Sequence, residues 1–234
     1  MSSIDFSPPL AATGWLVYRL VASIFPPVSI FDRITDPADY EAIFTVESLT
    51  NDRLRDEVGN ISLVALGDRI AGPGTTPIMA AFTHLNPLGS RFSDGSYGVY
   101  YAATTLDTAV AETRYHREKF LRFTNEGPID IDMRAYVAQL DGELHDLRGC
   151  QETYPQIYHP TDYSAGQAVG ARLRDAKSNG LIYVSVRQAP ELSNTCVAVF
   201  RPPCLSECRQ ERHLTYRWDG SAISEIYEKR EYSE

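Results

Sequence analysis

The chain has 234 residues, 43% hydrophobic, 11% aromatic and 23% charged, the profile of a globular protein with length enough for a sizeable single core. Lys+Arg 22 against Asp+Glu 31 leaves a formal charge of -9, the wrong sign for a protein that gains affinity by releasing counterions from nucleic-acid phosphates, so no direct nucleic-acid partner is expected. An anionic small substrate has to be met by locally clustered arginines.

From the start of the chain, residues 1–10 contain Asp5 and two prolines in place of the basic start and apolar run of a signal peptide, and nothing approaches the ~20 apolar residues of a membrane span. Residues 15–21 read as a strand whose alternation puts Tyr18, Leu20 and Ala22 on one face and Val17, Arg19 and Val21 on the other. Asp36-Pro37 opens a helix through Tyr40, Ile43, Phe44 and Val46. Residues 60–64 suggest a short strand, 71–74 a loop and 78–82 a short apolar helix or turn. Glycines and small polar residues make 89–98 a loop that passes close to something, feeding a strand over 99–103. Thr105 caps a helix carrying Leu106, Ala109, Val110, Thr113, Arg117, Phe120 and Leu121 at three-and-four spacing, with Glu112 and His116 together on its flank.

A strand over 133–139 follows, then a connection rich in Tyr and His, and a helix over 164–177 stopped by Asn179-Gly180. Strands are predicted at 181–186 and 195–200, and a hairpin joins 214–218 to 222–227 through Asp219-Gly220. The sum is α+β with a mixed, mostly antiparallel sheet, a single domain over 1–234 with an insertion around 36–80. Cys150, Cys196, Cys204 and Cys208 form no paired C-x-x-C knuckles and read as reduced thiols. Cys204 and Cys208 lie four apart with His213 nearby, but lack a fourth ligand at sensible spacing, so no metal is expected.

Three features bear on chemistry: Arg19 inside a strand, the Arg91 loop feeding Tyr101 and then Glu112, and Ser185 in an apolar strand. Singly, each has an ordinary reading as a snorkelling edge arginine, a surface Glu–His pair and a filler serine. Their combination is more specific. The segment Gly89-Ser90-Arg91-Phe92 to Tyr101, then Thr108-Ala109-Val110-Ala111-Glu112, resembles the signature of RES-domain proteins, named for an Arg, a Glu and a Ser. The resemblance extends to Val17-Tyr18-Arg19-Leu20 and to residues 180–187, so it spans most of the chain, as a long-form member, and implies Arg19, Glu112 and Ser185, which fall in the family's order, as the catalytic residues.

That resemblance implies an ADP-ribosyltransferase-like fold that consumes NAD as substrate, with no further cofactor, in the bacterial cytoplasm. It implies a toxin of a toxin–antitoxin pair, held by an Xre-like antitoxin covering the active-site cleft, with protein, phosphate or water accepting ADP-ribose. Residue chemistry agrees. Cleaving the nicotinamide–ribose bond builds an oxocarbenium-like cation that a carboxylate stabilises, which suits Glu112. Arginine forks suit the pyrophosphate, which makes Arg19 and Arg91 candidates, with Arg187 behind them. Tyr101 is placed to stack on nicotinamide and Ser185 to hold a ribose or amide group. His116, one turn beyond Glu112, is expected to orient the carboxylate, and His84 is a candidate pocket residue without a role. The contrasting class is a non-catalytic nucleotide- or protein-binding module on the same fold.

Overall fold

The computed structural model describes residues 8–22, 32, 36 and 59–230. Within these, seven strands run β1 (Leu10–Ala22), β2 (Tyr100–Ala103), β3 (Ile129–Asp146), β4 (Gly180–Val184), β5 (Thr195–Val199), β6 (Leu205–Trp218) and β7 (Ile223–Lys229). The sheet order is β1-β2-β5-β4-β3-β6-β7. β1 also pairs with β3 along its whole length, from Leu10↔His145 to Ala22↔Met133, so β1, β2, β5, β4 and β3 close into a circuit. Every pairing is antiparallel except β3 with β4. The fold class is therefore the expected α+β with a mixed, mostly antiparallel sheet.

The strands alternate cleanly between two cores, as a pleat demands. Val17, Tyr100, Ala102, Ile182, Val197 and Val199 join one core, together with Ile78, Met79 and Phe82 of helix α1 (Thr76–Thr83). Leu20, Ala103, Leu181, Tyr183, Cys196 and Ala198 join the other. That second core is covered by Ala109 and Leu121 of α2 (Leu106–Phe123) and Val169 and Leu173 of α3 (Ser164–Asp175). The Thr105 hydroxyl caps α2 by accepting from the Thr108 amide at 3.2 Å.

Several boundaries differ from expectation for local reasons. Residues 60–64 are not a strand: Asn60 Oδ1 accepts from the Ser62 amide and hydroxyl at 3.0 and 2.6 Å, an Asx-type bond that coils Ile61–Leu63 into a 3-10 turn. α3 stops at Asp175, because Lys177 already adopts φ 58, while Gly180 at φ 144 opens β4. β4 in turn ends at Val184, which leaves Ser185 as the first residue beyond the strand. β3 extends well past 133–139 because β1 and β6 bracket it. The helix expected from Asp36 lies outside the described residues. Cys204 and Cys208 are buried, with free thiols.

Candidate active site

The site is assembled on the second face. Ser185 Oγ donates to Glu112 Oε1 at 2.6 Å, and the Arg187 amide donates to Ser185 Oγ at 3.0 Å. Glu112 stands on α2, rigid and capped, while Ser185 stands where β4 ends, so the carboxylate is fixed against the rim of the sheet. Ser185 is buried, whereas Glu112 keeps 20% of its side-chain surface. Tyr183, on the same side of β4 as Ser185, has its phenol pushed well above the ordinary range by burial and by the charges of Cys196 and Glu112.

Arg91 comes from the glycine-rich loop and is buried. Its Nη1 donates to the carbonyls of Ile157 and His159 at 2.9 and 3.0 Å, and its guanidinium lies 4.7 Å from the Tyr163 ring centroid. Gly166 and Gly170, one turn apart on α3, let that helix seat on the loop, since a Cβ at either would collide with the Arg91 or Phe92 carbonyl. Tyr101 fastens the loop from below: its hydroxyl bonds Ser90 Oγ at 2.8 Å and accepts from the Phe92 amide at 2.9 Å. Burial pushes this phenol up to about 12.

Arg187 projects between α2 and the segment before α3. Its Nη2 donates to the Pro160 carbonyl and to the Tyr163 hydroxyl at 2.5 and 2.9 Å, and its guanidinium lies 3.4 Å from the Tyr115 ring centroid. Among the described residues Arg187 Nε and Gln188 Oε1 are buried without hydrogen-bond partners, which is the state of polar groups awaiting a ligand or water. His116 Nε2 is 3.9 Å from Glu112 Oε2, with 52% of its side chain open to solvent. The packed half of the ring, and then the cations Arg187, Arg91, Lys119 and Arg117, hold its pKa well below the ordinary histidine range. A chain of net charge -9 thus sets four cations near this imidazole. A hollow of about 460 Å³ beside α2 shares Tyr115 and Arg187 with this cluster, but neither Glu112 nor Ser185 lines it.

Two sequence candidates are elsewhere. Arg19 follows the alternation of β1 onto the opposite face: its guanidinium lies 4.8 Å from the Tyr100 ring centroid, in the core of α1, and Nη1 donates to the Tyr101 carbonyl at 3.1 Å. Burial lowers its pKa. The sheet separates it from Glu112 and Ser185, so it is not gathered with them. His84 folds back on its own helix, with Nδ1 3.1 Å from the Ala80 carbonyl and 3.2 Å from Thr83 Oγ1, again on the α1 side. Tyr163 and Tyr115 were not singled out in the sequence. The signal for Tyr163 is the density of Tyr and His between β3 and α3, whereas Tyr115 lies on α2 beside His116.

Among the described residues no helix is long and apolar enough to cross a membrane, and no group of His, Cys, Asp and Glu is arranged to hold a metal ion. The RES domain family matches residues 68–219, which contain Arg91, Tyr101, Glu112, Ser185 and Arg187 but begin well after Arg19. The "Uncharacterized protein y4oC" of Sinorhizobium fredii (strain NBRC 101917 / NGR234) is 34% identical over 213 residues, 90% of this chain and 86% of that protein. The crystal structure of the M. tuberculosis MbcT-MbcA toxin-antitoxin complex aligns over 86% of each chain with a TM-score of 0.42 and 11% identity. The match over most of the described chain, with the Arg, Tyr, Glu and Ser of the motif converging on one side of the sheet, places this protein in the RES domain family.

Proposed function

We propose that the chain is an NAD-cleaving enzyme that transfers ADP-ribose to an acceptor, protein, phosphate or water, on an ADP-ribosyltransferase-like fold, and acts as the toxin of a toxin–antitoxin pair. The observation that carries the chemistry is the Glu112–Ser185 contact at 2.6 Å, with His116 3.9 Å from the other carboxylate oxygen and no arginine or lysine paired to it among the described residues. Ser185 and His116 address one oxygen each, leaving lone pairs on both for a ribose hydroxyl. In the reaction, the C–N bond to nicotinamide breaks with its electron pair going to the ring nitrogen, so nicotinamide leaves neutral. The cation left on ribose is stabilised by the Glu112 charge, and the acceptor oxygen then bonds to that carbon while its proton passes to solvent.

Arg91 and Arg187 supply the donors for the pyrophosphate. Ser185 fixes the carboxylate rotamer and completes its hydrogen bonding. His116 is neutral at pH 7 and, with a pKa of about 4, a feeble base; it acts by positioning Glu112. Tyr101 acts through the loop that it fastens, with its ring at the edge of the site. An Xre-like antitoxin covering this cluster would present an anionic segment to the same arginines.

The test is NAD consumption by purified protein, with and without phosphate, beside Glu112→Gln. Nicotinamide release that is lost in the variant supports the reading. NAD left intact under all conditions, with binding retained, would establish the binding-module alternative instead. Co-purification with the product of the neighbouring reading frame, followed by NAD competition, tests the antitoxin.

A further inference from the structure

We infer that Tyr163 is the positioning residue that holds Arg91 and Arg187 together as one anion-binding fork. The inference deepens the reading above, resting on it only for the identity of the natural diphosphate. Three cations converge on this half-buried tyrosine. Arg91 lies over its ring at 4.7 Å from the centroid, Lys119 Nζ stands at 5.9 Å, and its hydroxyl accepts from Arg187 Nη2 at 2.9 Å. Like charges repel, and here the negative π face and the phenol lone pair sit between them and offset that repulsion.

These arginines are held differently from the ion-paired ones, and in the manner of Arg19, which also meets a ring and a carbonyl. Arg148 is gripped by Asp146 at 2.7 Å, Arg201 by Asp68 at 2.6 Å and Arg217 by Glu225 at 2.8 Å. Among the described residues, Arg91 and Arg187 instead meet only neutral groups: three carbonyls, aromatic rings and the Tyr163 hydroxyl. Neutral acceptors fix direction without cancelling charge, so the pair stays positive and pre-oriented. Tyr163 is itself anchored to the Arg91 loop. Its carbonyl accepts from the Gln167 amide at 2.8 Å, and Gln167 Nε2 donates to the Ser90 carbonyl at 3.1 Å. One residue thereby links the loop before β2, the start of α3 and the turn after β4.

The experiment titrates inorganic pyrophosphate and, separately, NAD into wild-type protein, Tyr163→Phe and Tyr163→Leu, with thermal unfolding as the control for folding. Tyr163→Phe keeps the ring and loses the hydroxyl, and is expected to weaken pyrophosphate binding about tenfold, the scale of one hydrogen bond from a charged donor. Tyr163→Leu also loses the π face, for about a hundredfold in total. Combining Tyr163→Phe with Arg187→Ala should weaken pyrophosphate no further than Arg187→Ala alone, because the hydroxyl acts through that guanidinium; a merely structural contribution would add. Unchanged pyrophosphate affinity in Tyr163→Phe protein of wild-type melting temperature would overturn the inference, as would wild-type protein that binds no pyrophosphate. Wild-type protein that binds pyrophosphate but not NAD, with graded losses in the variants, would sustain the fork while removing NAD as its ligand.

Discussion

Two glutamates on α2, less than two turns apart, have opposite surroundings. Glu118 has 15% of its side-chain surface exposed and is fully occupied: it accepts from Arg114 Nε at 3.1 Å, Arg122 Nη2 at 2.9 Å and the Ile223 amide at 3.0 Å. Burial alone would raise its pKa, but those donors outweigh it and hold the group below the ordinary carboxylate range. Glu112 is equally enclosed, yet its one hydrogen bond comes from a neutral serine, and the nearby arginines point their donors at carbonyls and tyrosine. A carboxylate whose lone pairs are filled by fixed donors ties elements together. One that is fixed by a neutral hydroxyl beside cations held by neutral groups is prepared for a partner the protein does not supply.

The largest expected effect tests the functional member of the pair. Glu112→Gln keeps the size of the side chain and the contact with Ser185 but removes the charge facing the developing cation, so NAD turnover should fall by ~100-fold or more at nearly unchanged NAD affinity. Steady-state nicotinamide release and calorimetry on the same preparation measure the two quantities. Turnover at the wild-type level in well-folded Glu112→Gln protein would erase the distinction between the two glutamates.

Next in size are the arginines. Arg91→Ala and Arg187→Ala should each weaken NAD binding by roughly tenfold to a hundredfold, with Lys restoring only part of it because a point charge lacks the planar fork. Arg19→Ala is expected to leave NAD affinity alone and to act on stability, since its guanidinium lies in the α1 core. A loss of NAD affinity in Arg19→Ala as large as in Arg91→Ala would mean that the two faces of the sheet share one site.

The structural member gives a smaller and different signal. Glu118→Gln can still accept from the Ile223 amide but gives up both ion pairs, and should destabilise by about 1 kcal/mol, the scale of two i,i+4 pairs at ~0.3–0.5 kcal/mol each. For a chain of this length that lowers the melting temperature by about 2–4 °C, with turnover per folded molecule unchanged. A large loss of turnover at full stability would put Glu118 in the chemistry and break the comparison.

Much of this contrast was legible in the sequence. The capped α2 helix, the Arg91 loop, the strand carrying Tyr101 and the Asp219-Gly220 hairpin all rest on local signals: a threonine cap, glycine punctuation and strict alternation. The Glu112–His116 pairing follows from helical spacing. Arg19 shows the limit. Its alternation already placed it with Val17 and Val21, but which face would carry Glu112 depends on the closure of β1 onto β3, a pairing across more than a hundred residues that no local pattern encodes. Tyr163 escaped for a similar reason. Its partners Arg91, Lys119 and Arg187 come from three separate stretches of chain, so only the fold reveals it as their meeting point.

The smallest effect concerns acid. His116 carries a folded-state pKa pushed down to about 4 by burial and by Arg187, Arg91, Lys119 and Arg117, against about 6.5 in an unfolded chain. Between those values the unfolded chain binds the proton that the folded protein refuses, so stability rises with pH across this window and is lost as pH falls through it. Replacing His116 with Asn removes that linkage, and the decline of stability from about pH 6.5 to about pH 4 should become shallower. The change should be modest, because 52% of the side chain remains in contact with solvent that screens the surrounding cations. The same four cations predict a second signature. Salt weakens their repulsion of an imidazolium, so raising ionic strength should lift the His116 pKa toward its ordinary value in wild-type protein, which histidine proton chemical shifts followed across pH would read directly. A pKa that stays near 6.5 at low salt would show that the cations do not converge on this ring, and would make His116 an ordinary solvated imidazole.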